Sequence, residues 1–208
     1  MKAFLLLCLG ASLLTPLQAQ EYHRLIVDFG AGFTQPVGTT GTNLDDGWNI
    51  RGGVGVNFSR YVGAIVQLDY NSMGINSTTL SNIGFPGGDV HVFSATLNPI
   101  VHLTPRGHFD VYLIGGGGMY RRTEEFTQPG VASVTGFNPF FGFYQFGVPT
   151  TQILASYTIV KPGVDGGMGI AFGSKWGGKF FAEARYNRIF TGANSHMDYV
   201  PVSFGFRW

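Results

Sequence analysis

Cysteine is almost missing from this sequence. Cys8 is the only one, and it falls inside an N-terminal segment that reads as an export signal. Disulfides and thiolate-bound metals are therefore excluded from everything downstream. Charge is scarce too: Asp, Glu, Lys and Arg make up 12% of the chain, about half the ~25% of an ordinary soluble domain. So little charge points to disorder or to a membrane, and an aromatic content of 15% argues against disorder. Long apolar runs are also lacking. Beyond the first residues none approaches the ~20 that a spanning helix needs. In lipid every backbone polar group must be bonded within the protein, and a closed β-barrel is the structure that remains.

What is present begins with the signal. Lys2 gives a basic start, Ala3 to Leu14 is nearly unbroken apolar sequence, and Leu17-Gln18-Ala19 ends in a small residue before Gln20. Residues 1–19 thus read as a cleaved secretory signal peptide. Leu7 and the early position of Cys8 do not suit a lipid-modified alternative. Residues 20–208 are expected to be the mature domain. Its charge is balanced, with 12 of the 13 Lys+Arg left to face 12 Asp+Glu, so it shows no bulk preference for nucleic acid.

Alternation with a period of two then recurs along the chain, apolar on one face and small or polar on the other, as strands that span an outer membrane require. In the first segment Leu25, Val27, Phe29, Ala31 and Phe33 oppose Asp28, Gly30, Gly32 and Thr34. In the second, Trp48, Ile50, Val54 and Val56 oppose Asn49, Arg51, Gly53 and Gly55. Val62 to Asn71, His91 to Leu103, the segment from Val111 to Met119, Val160 to Phe172, Phe180 to Asn187 and Tyr199 to Trp208 continue the pattern. Pro99 interrupts the fourth, where a bulge or local weakness is expected. The prediction is an all-β fold, a single closed antiparallel up-and-down transmembrane barrel of about eight strands.

Connection lengths agree. Ser59-Arg60-Tyr61, Thr104 to His108 and Gly173 to Gly178 are short, whereas Gln35 to Gly47, Ser72 to Gly88 and above all Arg122 to Ser156 read as long loops. Short turns on the periplasmic side and long loops outside are the outer-membrane arrangement. Phe58, Tyr61, Phe109, Phe172, Trp176 and Trp208 form one expected aromatic girdle; Phe33, Trp48, Tyr70, Tyr157 and Tyr199 form the other.

The closing segment Tyr199-Val200-Pro201-Val202-Ser203-Phe204-Gly205-Phe206-Arg207-Trp208 resembles the last strand of small outer-membrane barrels. Phe180 to Tyr186 and Tyr112 to Gly118 resemble the same OmpA-type, outer-membrane protein β-barrel domain group. The likeness spans the mature chain and implies residence in the bacterial outer membrane, contact with its lipid, and recognition by the assembly machinery through Phe204, Phe206 and Trp208. Trp208 departs from the terminal Phe usual in that group. The resemblance carries little about activity, because the group includes adhesins, minor channels and anchors. No periplasmic peptidoglycan-binding domain is expected after the eighth strand.

An eight-stranded barrel is just wide enough for side chains to fill it. The inward faces carry Asp28, Asp69, Asp165 and Glu183 against Arg51, Lys161, Arg185 and Arg207. Two readings stay open: an internal network that plugs the barrel and holds its register, or a narrow, gated water path along the same charges. A distant third is an outer-leaflet lipid-modifying enzyme using His91 with Ser94, or Ser195 with His196. Those pairs are adjacent or on opposite faces, with no positioned carboxylate readable from spacing. No catalytic, cofactor or metal site is expected. Asn76-Ser77-Thr78 matches a glycosylation acceptor only formally. The remaining feature lies in the longest loop, where Phe137, Phe140, Phe141, Phe143, Tyr144 and Phe146 crowd into ten residues. Such a patch either folds over the mouth, extends the strands as a hairpin, or contacts the outer leaflet or a partner. The expected role of this monomeric barrel is structural or one of surface interaction, toward an extracellular or envelope partner that the sequence does not name.

Overall fold

The computed structural model describes residues 24–105, 109–173, 178–192 and 195–208. The signal segment 1–19, His23, His108 and Trp176 lie outside the described residues. Eight antiparallel strands form one ring: β1 (Leu25–Pro36), β2 (Leu44–Asn57), β3 (Val62–Ile75), β4 (Gly87–His102), β5 (Phe109–Asn138), β6 (Gly142–Gly173), β7 (Lys179–Phe190) and β8 (His196–Arg207). Each pairs with the next, and β8 pairs back onto β1 from Asp28↔Arg207 to Pro36↔Tyr199, so the sheet has no edge around the barrel. The predicted alternation sets the two faces. Leu25, Phe29, Val54, Val66, Leu97, Met168, Phe180 and Phe204 point outward and are exposed, while Asp28, Asn49, Arg51, Gln67, Glu183 and Arg185 are buried inside. That inversion of a soluble protein suits a barrel solvated by hydrocarbon.

Of three local expectations, two are decided between their alternatives and one changes. Pro99 makes no bulge: β4 keeps one register against β5 from Leu97↔Gly117 to Ile100↔Ile114, and Ala64 faces Pro99 in an unbroken β3–β4 ladder. The proline ring lies on the outer face, where its missing N–H costs ladder bonds locally but no register. Residues 122–156 take the hairpin alternative and not that of an irregular loop. β5 and β6 run on as one hairpin to Asn138↔Gly142, with a single register shift between Phe126 and Thr127. Tyr199 does not join the aromatic girdle, because the alternation of β8 turns it inward, where it is 0% exposed. Phe58, Tyr61, Phe109, Phe172 and Trp208 at one end, and Phe33, Trp48 and Tyr157 at the other, are exposed; Tyr70 is half-buried.

The connection between β3 and β4 holds a short helix, α1 (Ser77–Ile83), that the sequence reading did not anticipate. Asn76 caps it by accepting the Thr78 N–H at 2.8 Å, and Gly84 ends it in the left-handed region at φ 76°. Both are standard helix punctuation. Leu80 drops from this helix into the barrel's upper interior, while Thr79 Oγ1 donates to Asn43 Oδ1 at 3.2 Å and Asn76 Nδ2 to Asp45 Oδ1 at 3.1 Å. These bonds tie α1 and its cap to the end of the β1–β2 connection and the start of β2.

Candidate functional site

Two features stand out: the filled interior, and the hairpin that outgrows the barrel. The interior is layered along its axis. At the periplasmic end Ile26, Ile65, Ile100, Tyr112, Ile114, Ala171 and Phe181 form an apolar cluster. At the extracellular end Leu44, Met73, Ile75, Leu80, Val90, Val92, Tyr120, Ile189, Met197 and Tyr199 form a second, with Phe85 and Phe126 packed against it. Between the two lies the charge.

Glu183 on β7 is the hub of that middle layer. Its Oε1 meets Arg51 Nη1 at 2.5 Å and also accepts from Arg185 Nε. Its Oε2 accepts the Tyr112 hydroxyl at 2.7 Å and lies 3.5 Å from Arg207 Nη2. Arg185 reaches on to Asp165 Oδ2 at 3.1 Å and donates to Gln67 Oε1 at 2.6 Å. Arg207 Nη2 pairs with Asp28 Oδ2 at 3.0 Å, and Gln67 Nε2 donates to the same carboxylate at 3.3 Å. The Asn98 amide, turned so that its oxygen faces Arg185 Nη1 at 2.9 Å and its nitrogen Asp165 Oδ1 at 3.0 Å, closes the web toward β4. Aromatic faces carry part of the cationic charge: Arg207 stands 4.6 Å from the Tyr112 ring and Arg51 5.0 Å from that of Phe181, distances at which a desolvated guanidinium is attracted to a ring. Just above, Ser203 Oγ donates to Asn49 Oδ1 at 2.7 Å and Thr34 Oγ1 to Asn71 Oδ1 at 2.7 Å, adding a neutral hydrogen-bonded tier.

Six of the eight inward charges singled out in the sequence meet in this web: Asp28, Arg51, Asp165, Glu183, Arg185 and Arg207. Asp69 faces Arg51 across the β2–β3 ladder but makes no ion pair within 4 Å among the described residues. Lys161 stands apart, half-buried beside Tyr120 and four residues nearer the extracellular end than Asp165. Sequence reasoning missed Asp110. It is buried at the periplasmic end, where its Oδ2 meets His102 Nδ1 at 2.7 Å and Lys179 Nζ at 3.5 Å. Its inward parity with Tyr112 on β5 was the available signal.

The histidines considered for chemistry are dispersed. His91 shares the outer face with Phe93, its Nδ1 3.0 Å from the Tyr70 hydroxyl, while Ser94 is buried on the inner face. His196 Nε2 lies 3.3 Å from Asp198 Oδ2, a carboxylate that Arg188 already engages at 2.9 and 3.0 Å. Ser195 Oγ accepts from Thr191 Oγ1 at 3.0 Å.

The hairpin is the second feature. β4 last pairs with β5 at Gly87↔Thr127, and β7 last pairs with β6 at Gly163↔Ile189. From Gln128↔Gln152 to Asn138↔Gly142 the two long strands pair only with each other, a two-stranded ribbon rising roughly 35 Å past β4 at ~3.3 Å per residue. No Asp, Glu, Lys, Arg or His occurs from Phe126 to Val160. At the tip Phe140 and Phe141 are 89% and 85% exposed, with Phe137, Phe143, Tyr144 and Phe146 exposed below them.

The protein family described as "Outer membrane protein beta-barrel domain" matches residues 4–208. Among solved structures, that of Neisserial surface protein A superposes with a TM-score of 0.55 at 16% identity, covering 89% of this chain and 96% of that one. Ail, the attachment invasion locus protein of Yersinia pestis, gives 0.48 at 17% identity over 89% and 100%. The N-terminal β-barrel domain of Pseudomonas aeruginosa OprF gives 0.43 at 12% identity over 88% and 97%. No curated protein matches by sequence. At such identities the likeness to the solved structures is one of fold.

Proposed function

This chain belongs to the outer membrane protein β-barrel domain family and resides in the bacterial outer membrane; we propose that there it is a sealed, non-conducting scaffold whose work is surface interaction through the β5–β6 ribbon. The observation that carries this reading is the stacking of the interior. An aqueous path would have to cross an apolar cluster, a charge web and a second apolar cluster in series. Hydrophobic constrictions resist wetting, and an eight-stranded barrel leaves little width beyond its own side chains. With α1 fastened over the extracellular end, the interior serves stability, and the ribbon is left as the largest surface without a structural task.

The test is single-channel recording in planar bilayers, using residues 20–208 refolded and checked for the heat-dependent gel shift of a closed barrel. Silence from demonstrably inserted protein is the expected result. Reproducible open steps that change in size with Arg185→Ala would overturn the sealed scaffold in favour of a narrow channel along the charge web.

A further inference from the structure

The tip of the ribbon narrows the class of partner. Its rings do not share one face. Phe137 and Phe143 stand opposite each other with centroids 5.1 Å apart, and Tyr144 and Phe146 pair at 5.6 Å. Successive strand residues point to opposite sides, so these pairs lie on opposite faces of the ribbon, with Phe140 and Phe141 at the apex. A groove on a protein receives one face of a ribbon, whereas a fluid apolar phase receives every side at once. The turn is tight and partly satisfied within itself: Gly142 takes the left-handed conformation at φ 79°, and the Phe140 N–H donates to Asn138 Oδ1 at 2.9 Å. Hydrocarbon demands such internal satisfaction of polar groups.

The stem gives two further constraints. It has no charge from Phe126 to Val160, so nothing along it recognises an ionic partner by charge pairing. Its edges are poor templates for an added strand, because Pro129 on β5 and Pro149 on β6 interrupt their donor rows, a recognised way of blunting exposed edges. Finally, Val131 and Ile153 on one face and Val134 and Val148 on the other are all exposed. The ribbon therefore stands free and does not lie folded over its own barrel.

We propose that the aromatic tip inserts shallowly into the lipid bilayer of an apposed membrane, with the barrel as anchor and the ribbon as a lipid-seeking arm; this rests on the reading of the ribbon as the interacting element. Amphipathic and aromatic side chains favour the headgroup–acyl boundary, and the uncharged stem makes the attraction independent of lipid charge.

The experiment uses the folded protein in phosphatidylcholine nanodiscs, mixed with sucrose-loaded phosphatidylcholine vesicles and sedimented. The disc-held protein is expected to pellet with the vesicles equally at low and high salt. Phe140→Ser together with Phe141→Ser should cut the bound fraction by at least about tenfold, with the heat-dependent gel shift retained because the tip makes no barrel contact. In a second measurement the indole introduced by F141W is quenched by brominated lipid placed either in the vesicles or in the discs, read as the difference from the parent protein. Quenching from the vesicles is expected. No pelleting, pelleting that needs anionic lipid, or pelleting unchanged in the double variant would overturn the proposal. So would quenching of that indole from the discs alone, which places the tip on its own leaflet, or self-association of discs without vesicles, which makes a second copy the partner. None of these outcomes bears on conductance, so the sealed scaffold stands or falls separately.

Discussion

Removing the Glu183 carboxylate tests the physical account of the interior most directly. Both it and Arg51 are fully desolvated, with side chains 0% and 2% exposed, so no allowance for solvent screening applies. Glu183→Ala deletes four contacts at once, to Arg51, Arg185, Arg207 and the Tyr112 hydroxyl. Their fates differ. Arg185 keeps Asp165 and Gln67, and Arg207 keeps Asp28, while Arg51 loses the one ion pair it has among the described residues. One orphaned buried charge costs roughly 3–5 kcal/mol, and that is the loss expected in urea unfolding followed by tryptophan fluorescence in lipid vesicles.

The companion variant separates orphaned charge from lost packing. Arg51→Met combined with Glu183→Leu removes both partners of the Arg51–Glu183 pair, and buried ion pairs exchanged whole for apolar residues are often neutral. The double variant should therefore recover more than half of the loss. Lys161→Ala, which breaks no ion pair, should stay within about 1 kcal/mol of the parent, the scale of surface substitutions. A loss below about 1 kcal/mol for Glu183→Ala, the scale of hydrated pairs, would refute the reasoning and mean that water reaches these charges.

Other consequences can be read in the same assays. A Cβ at Gly205 would lie 2.1 Å from the Phe29 carbonyl oxygen, across the seam where β8 meets β1, so Gly205→Ala should abolish the heat-dependent gel shift. Gly166, whose added Cβ meets nothing within 4 Å, should accept alanine without change. Replacing residues 128–152 by a two-residue Asn-Gly turn should leave the barrel's unfolding free energy within about 1 kcal/mol, since from Gln128↔Gln152 outward the two strands pair only with each other; a larger loss would mean that the ribbon supports the barrel. Trp208→Asn is expected to slow insertion in cells while leaving unassisted refolding intact, and equal effects on both would remove the terminal aromatic from any dialogue with the assembly machinery.

How far the sequence could be read depended on what alternation encodes. A period of two assigns each residue a face, and that sufficed for strand number, for the outward apolar band and for inward Asp28, Arg51, Glu183 and Arg207. It does not assign height along the barrel axis. Height comes from register between strands, such as Arg51↔Asp69, which is set by side-chain fit around the closed ring. Glu183 and Arg185 could be called inward from sequence alone, but not that Arg51, 132 residues earlier, would share Glu183's oxygen. Lys161 shows the converse: it has the right face, but its height leaves it outside the web.

The errors share a cause as well. Tyr199 was placed by residue type, as an amphipathic ring near a strand end, although its parity with Pro201 and Ser203 turned it inward; where propensity and pattern disagree within a strand, burial follows pattern. The ribbon was counted as a long loop, with a hairpin only one of its alternatives, because polar and turn-forming residues such as Gln128, Pro129, Gly130, Asn138 and Pro139 outweighed a weak alternation. Those residues prefer turns because they pack poorly on a sheet. The ribbon packs on no sheet, so each strand needs only its one hairpin partner, and prolines are tolerated on edges that nothing must join. The same freedom from packing that hid these strands in the sequence is what leaves their aromatic tip uncovered in the fold.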